Sequence, residues 1–171
     1  MNNIYVKYGL LFILLVLLQG FVINQVQINT YIYPMIYPVL ILLLPFEINV
    51  IVAMIIALVL GISVDVVSDT FGLHASALVL MAYIRPTVLR YIKPRDGYDS
   101  STLPNIHDMG VIWFLLYGSI LIGIHHLWFF VIEVFRWDLF SLIFGKFFFS
   151  LIFTLVLVIL FQYIFFKPSK K

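Results

Sequence analysis

Long apolar stretches, separated by short polar ones, run through almost the whole chain. A helix needs about 20 apolar residues, within a range of about 17–25, to cross the hydrocarbon core of a bilayer. Hydrophobic residues form 64% of the 171 residues and charged residues only 11%, so a water-facing exterior would lack polar cover. The chain is therefore predicted to fold in lipid.

Six segments have the composition of membrane spans, at residues 5–23, 31–46, 48–67, 74–92, 109–131 and 139–166. The second segment is short and contains Pro34, Pro38 and Pro45, which interrupt a helix. Six crossings keep the basic residues of the termini and of the 85–95 region on one side, whereas five would move many of them across. The positive-inside rule therefore favours six crossings. With each crossing a helix, the chain is predicted to be an all-α integral membrane protein. It would be a single domain, a compact bundle of six transmembrane helices with both termini in the cytoplasm.

Two carboxylates, Asp65 and Asp69, interrupt the end of the apolar third segment one helical turn apart. Ionisable groups at membrane depth are costly and usually face protein or water. By the predicted topology Lys146 lies in the outer half of the sixth segment, so we expect it to pair with Asp65 or Asp69. In the alternative, both carboxylates end the helix in water near the lipid headgroups.

Small and polar residues surround the two carboxylates. If the helix continues, Gly61, Ser68 and Gly72 lie on the carboxylate face. Small residues let helices approach closely in lipid, and Gly72 also fits a helix C-cap with positive φ. His74 fits an interfacial hydrogen bond better than a metal site, which needs several converging ligands. We interpret these residues as structural or partner-binding.

Arg85 precedes Pro86 near the predicted cytoplasmic boundary. Proline disfavours helical conformation at the residue before it and frees a carbonyl one turn earlier. One interpretation is that Arg85 contacts a partner protein or an anionic headgroup. The other is that Arg85 extends to the interface together with Arg90 and Lys93.

Signatures of catalysis and cofactor binding are missing from the sequence. It contains no H-E-x-x-H, no G-x-S-x-G and no glycine-rich phosphate loop. Cysteine is absent, and the adjacent His125 and His126 diverge on a helix, so they cannot chelate one ion. Asp65 and Asp69 share one helix, whereas an intramembrane aspartyl enzyme needs carboxylates from two. We predict a protein that is not an enzyme and has no metal or cofactor.

The pattern Gly61-x-x-x-Asp65-x-x-Ser68 is followed by Gly72-Leu73-His74-Ala75 and by a span that ends in Ala82-Tyr83-Ile84-Arg85-Pro86. It resembles the bacterial rod shape-determining protein family MreD. The length, the six-span layout and the short second segment agree with that family over essentially the whole chain.

The resemblance implies a multi-pass scaffold protein of the bacterial inner (cytoplasmic) membrane that belongs to the cell-elongation machinery. Such a protein would bind MreC. It would also help to couple MreB filaments to peptidoglycan synthesis by the RodA glycosyltransferase and its class B penicillin-binding partner. No catalytic residue and no cofactor are implied.

The MreD family is also similar in fold to the S components of energy-coupling factor transporters. This gives an alternative function, a transporter subunit that binds a vitamin-like small molecule. S components commonly dock through Ala-x-x-x-Ala on the first helix, and here no alanine occurs before Ala53, which favours the scaffold. A third alternative is a proton-coupled channel that uses Asp65 and Asp69.

Overall fold

The computed structural model describes residues 4–26, 30–99 and 102–166. Over these ranges the chain is helical and contains no strand, as the all-α prediction requires. The helices are α1 (Ile4–Leu17), α2 (Val39–Leu42), α3 (Val50–Ser68), α4 (Leu73–Tyr91), α5 (Ile106–Met109), α6 (Val111–Val134) and α7 (Phe140–Phe165). A π-helical turn, Leu18–Val22, and a 3-10 turn, Ile23–Gln25, extend α1, and a further 3-10 turn, Trp137–Leu139, precedes α7.

Four helical stretches are long and apolar enough to cross a membrane. They are Val6–Gln25, α3, α6 and α7. Helix α4 has the same 19-residue length as α3 but also carries Arg85 and Arg90. The C-terminal lysines on which the predicted orientation partly depends, Lys167, Lys170 and Lys171, lie outside the described residues.

The second predicted span, residues 31–46, is not a membrane-spanning helix, so that part of the prediction is wrong. Only the four residues of α2 are α-helical there, and the chain before them is irregular. Pro34 and Pro38 explain the difference, because each lacks an N–H and disfavours helical conformation at the preceding residue. We call residues 30–38 the irregular segment.

Hydrogen bonds to α7 indicate that the irregular segment is extended. The N–H groups of Tyr33 and Met35 donate to the hydroxyls of Ser150 and Thr154, at 2.9 and 3.0 Å. Ser150 and Thr154 are four residues apart on α7, a rise of about 6 Å. The chain covers the same height in two residues from Tyr33 to Met35, about 3 Å per residue. A strand rises about 3.3 Å per residue. An extended chain covers a given height with fewer residues than a helix, which accounts for the short second segment.

The second segment also runs alongside α1, in the opposite direction. Gln19, in the π-helical turn that follows α1, accepts from the Ile36 N–H at 2.8 Å and donates to the Pro34 carbonyl at 3.2 Å. Near the start of α1, the Tyr8 hydroxyl donates to the Leu43 carbonyl at 2.7 Å. Every residue from 34 to 44 is buried, so this segment forms the centre of the bundle.

Helices α3 and α4 form a tight antiparallel hairpin. A Cβ atom at Gly61 would lie 2.7 Å from the Ala75 nitrogen and still closer to the Ala75 Cα. Contacts this close are possible only for glycine, which fits the role of small residues between helices in lipid. The link between the helices uses positive φ at Asp69 (53°) and Gly72 (79°).

We predict that Gly61→Ala destabilises the protein, because the added methyl group forces α3 and α4 apart. Overpacking of this kind typically costs about 1–3 kcal/mol. Thermal unfolding of the purified protein in detergent measures the effect. Gly123→Ala in α6 is the matched control, since the atom nearest to its new Cβ lies 4.0 Å away. Equal stability of the two variants would contradict the close packing of α3 on α4.

Candidate functional site

Asp65 is buried one turn before the end of α3 and binds the start of α4. Its Oδ1 accepts from the His74 N–H at 3.1 Å and from the Thr70 hydroxyl at 2.5 Å, and its Oδ2 accepts from the Ala75 N–H at 3.0 Å. The first N–H groups of a helix have no partner within the helix, and the positive end of its dipole favours a carboxylate. Asp65 therefore caps α4 from the neighbouring helix.

Lys146 pairs with Glu133 rather than with Asp65 or Asp69, so the predicted pair is wrong. Its Nζ lies 3.2 and 3.0 Å from the two carboxylate oxygens of Glu133 and 4.8 Å from the centre of the Tyr33 ring. Asp65 needs no lysine, because the N–H groups of α4 already satisfy its oxygens. Sequence reasoning missed Glu133, although it lies near the end of α6 and so at the level of Lys146, early in α7.

The helix does not continue past Ser68, so Asp69 and Gly72 do not extend the face of Gly61 and Asp65. Asp69 is the left-handed C-cap of α3, at φ 53°, and its side chain is exposed. Gly72 has the predicted positive φ, but it precedes α4 instead of ending α3. The Ser68 hydroxyl accepts from the Asn24 amide at 2.8 Å, which ties the end of α3 to the end of the first helical stretch.

Arg85 is 2% exposed, and its burial contradicts both predicted roles. Its Nε donates to the Tyr117 hydroxyl at 2.7 Å, and its guanidinium also donates to the carbonyls of Leu44 and Pro45. The Tyr117 hydroxyl in turn donates to the Leu42 carbonyl at 3.1 Å. The Leu42 carbonyl is the last of α2 and those of Leu44 and Pro45 follow it, so none of the three has a partner within that helix. Arg85 holds the second segment against α4 and α6.

His74 belongs to a buried chain of aromatic polar groups that the sequence did not predict. The Tyr37 oxygen lies 2.7 Å from both His74 Nδ1 and His125 Nε2. His125 Nδ1 lies 3.3 Å from His126 Nδ1, and His126 Nε2 lies 3.1 Å from the Thr154 hydroxyl. The predicted divergence of the adjacent histidines is only partial, because their Nδ1 atoms lie side by side while their Nε2 atoms point away to Tyr37 and Thr154. In the sequence, the only sign of this chain is the presence of tyrosine and histidine within otherwise apolar segments.

A cavity of about 560 Å³ lies beside this chain, between the end of the first helical stretch, the irregular segment and α6. We call it the polar cavity, after lining residues that include Gln19, Asn24, Ser68, Thr70, His74 and Glu133. Four of the eight predicted site residues line the cavity or contact a lining residue, namely Asp65, Ser68, His74 and Lys146. Gly61, Asp69, Gly72 and Arg85 do not line it.

In the described ranges, no group of three or more histidine, aspartate or glutamate side chains converges on a possible metal site. Comparison of the chain with protein-family models, with curated proteins and with solved structures found no match. The geometry of the predicted site residues and their neighbours supports two kinds of role, helix packing and the binding of a small molecule in the polar cavity.

We predict that Asp65→Asn destabilises the protein and that Asp69→Asn does not. The amide at position 65 keeps one acceptor oxygen for three donors, and an unsatisfied buried group costs about 1–3 kcal/mol. Asparagine tolerates the left-handed conformation at position 69. Denaturant unfolding in detergent compares the two variants. A loss of stability in Asp69→Asn as large as that in Asp65→Asn would contradict the capping role.

A double-mutant cycle tests the partner of Lys146. We expect Glu133→Gln and Lys146→Gln to show a coupling free energy of about 0.5–3 kcal/mol, the range for residues in direct contact. Asp65→Asn and Lys146→Gln should be additive. Coupling in the second cycle without coupling in the first would restore the pairing expected from the sequence.

Proposed function

We propose that the chain is a non-catalytic scaffold subunit of the bacterial cell-elongation machinery in the inner (cytoplasmic) membrane, as its resemblance to MreD implies. One observation supports this function more than any other. The polar members of the motif, Asp65 and the N–H groups of His74 and Ala75, bind one another and fasten α3 to α4. Residues used in this way serve helix packing, which is what a scaffold subunit requires of them.

The proposal includes six membrane crossings with both termini in the cytoplasm. Four helical stretches have the required length and composition, and α4 returns from α3. The second segment would supply the remaining crossing, because it runs opposite to α1 and in the same direction as α7. In a six-span topology, the second and sixth spans share a direction and the first has the opposite one.

The proposed partners are MreC, which would bind directly, and through it MreB, RodA and a class B penicillin-binding protein. These partners rest on the resemblance.

Co-purification tests the scaffold function. The tagged full chain is co-expressed with MreC and extracted from membranes in a mild detergent. We expect MreC to elute with the wild-type chain and with Asp69→Asn, and at least tenfold less MreC per chain with Gly61→Ala, because the packing of α3 on α4 shapes the surface. A well-folded wild-type chain that elutes without MreC, in cells that stay rod-shaped when the chain is depleted, would contradict the proposal.

The polar cavity favours a second candidate function, a small-molecule-binding subunit similar to the S components. A volume of about 560 Å³ lies within the range of known small-molecule pockets. The proton-coupled channel has less support, because the carboxylate of Asp65 is already occupied by three donors.

A further inference from the structure

The hydrogen positions in the buried chain of histidines follow from a single backbone carbonyl. The Ile122 carbonyl can only accept, and it lies 3.0 Å from His126 Nδ1, so that nitrogen carries a hydrogen. In a neutral His126 ring, Nε2 is then an acceptor, and the Thr154 hydroxyl donates to it. The Thr154 oxygen remains free to accept from the Met35 N–H. Each group at this end of the chain has a compatible partner.

The same logic fixes the remaining groups. Because His126 Nδ1 carries a hydrogen, His125 Nδ1 accepts, and the His125 hydrogen lies on Nε2. His125 Nε2 therefore donates to the Tyr37 oxygen. The Tyr37 hydroxyl has two acceptors in reach, His74 Nδ1 at 2.7 Å and the Met35 sulfur at 3.9 Å, and it donates to His74 because a thioether sulfur is a weak acceptor. A charged ring at His125 would place two N–H donors face to face between His125 and His126. A charged ring at His74 would leave the Tyr37 hydroxyl to the weak acceptor Met35 sulfur. His74 is thus neutral and carries its hydrogen on Nε2.

This last N–H faces the polar cavity. His74 is 5% exposed and lines the cavity. Its Nε2 has no hydrogen-bond partner among the described residues, whereas every fully buried side-chain nitrogen or oxygen there has one. Among the described residues this N–H has no acceptor, and it presents an oriented donor to the cavity on a side chain that packing holds in place.

The charge of the cavity selects a neutral ligand. Glu133 is the only charged residue of the described lining, and Lys146 already neutralises it. An anion would meet no free cation, and a cation would have to displace Lys146. The cavity opens to the exterior at Asn24 and Val26, which are exposed, so a molecule can enter.

We propose that the polar cavity binds a small neutral molecule, an amide or nitrogen heterocycle, whose acceptor atom takes the hydrogen of His74 Nε2. The second amide hydrogen of Asn24 and the Thr70 hydroxyl oxygen, whose own hydrogen goes to Asp65, supply further hydrogen bonds. Phe129, whose ring centre lies 4.6 Å from that of His74, supplies an apolar wall. The inference deepens the second candidate function, the small-molecule-binding subunit, and its biological role rests on that function. It is independent of the scaffold function.

Thermal unfolding of the purified full chain in detergent tests the proposal with named probes. The neutral probes are nicotinamide, benzamide, uracil and cytosine, and the charged comparators are nicotinate (anion) and 1-methylnicotinamide (cation). Val26→Phe places a ring at the mouth of the cavity from an exposed position, which protects the fold. Val66→Phe is the matched control, because Val66 is 77% exposed on α3 and does not line the cavity.

We expect at least one neutral probe to stabilise the wild-type chain and Val66→Phe, with at least tenfold weaker binding to Val26→Phe. Nicotinamide should bind at least tenfold more tightly than either charged comparator. The proposal is overturned if no neutral probe stabilises the chain, if Val26→Phe responds like Val66→Phe, or if the charged compounds bind equally well.

Nitrogen NMR of the chain labelled at its histidines provides a readout independent of stability. The His74 signals are assigned by their loss in His74→Gln. We expect Nε2 to be protonated and Nδ1 unprotonated, and the Nε2 signal to shift when a stabilising probe is added. A hydrogen on Nδ1 would overturn the inference. Binding without any transport in reconstituted vesicles would remove the transporter function but leave the site intact.

Discussion

Backbone hydrogen bonding in lipid is the constraint on which the rest of the structure depends. A backbone polar group that lacks a partner in hydrocarbon is costly, so irregular chain is tolerated there only when protein surrounds it. Pro34 and Pro38 prevent the second segment from forming its own helix. Side chains of its neighbours take over, Gln19 beside α1 and Ser150 and Thr154 on α7. Polar residues inside these apolar helices are thus explained by the segment between them.

The charged residues follow the same principle and fasten the helices in pairs. Asp65 of α3 caps the start of α4, and Arg85 of α4 binds the carbonyls that follow α2. Lys146 of α7 binds Glu133 of α6. Each of these groups interacts with a partner on another element, and the partner is backbone as often as it is side chain.

The apolar lengths in the sequence predict the long helices well, because a span is a property of local composition. They do not give the rotation of one helix about its axis relative to the next. Level in the bilayer alone therefore predicts that Lys146 pairs with Asp65 or Asp69. Glu133 lies at a similar level and is the carboxylate that faces Lys146. The partners of Asp65 were not foreseeable from side-chain matching, since they are N–H groups of α4.

The polar cavity is the part of the candidate site that sequence reasoning did not find. Its walls come from separate elements, and the donor on His74 Nε2 is defined only by the direction of a hydrogen-bond chain. A tyrosine almost ninety residues before His125 in the chain decides which nitrogen of His74 is free. Such an arrangement depends on the irregular segment, which carries Tyr37 into the bundle.

Amide hydrogen exchange in the irregular segment tests this account most directly. Residue-resolved exchange is measured for the protein in lipid nanodiscs at the amides of Tyr33, Met35 and Ile36. The references are the amide of Ala57 in α3 and that of Asp96, which is exposed in the loop between α4 and α5. The structure predicts protection close to that of Ala57, because side-chain oxygens accept all three N–H groups inside the bundle. Exchange as fast as that of Asp96 would contradict it, because the segment would then be an open loop and not the centre of the fold.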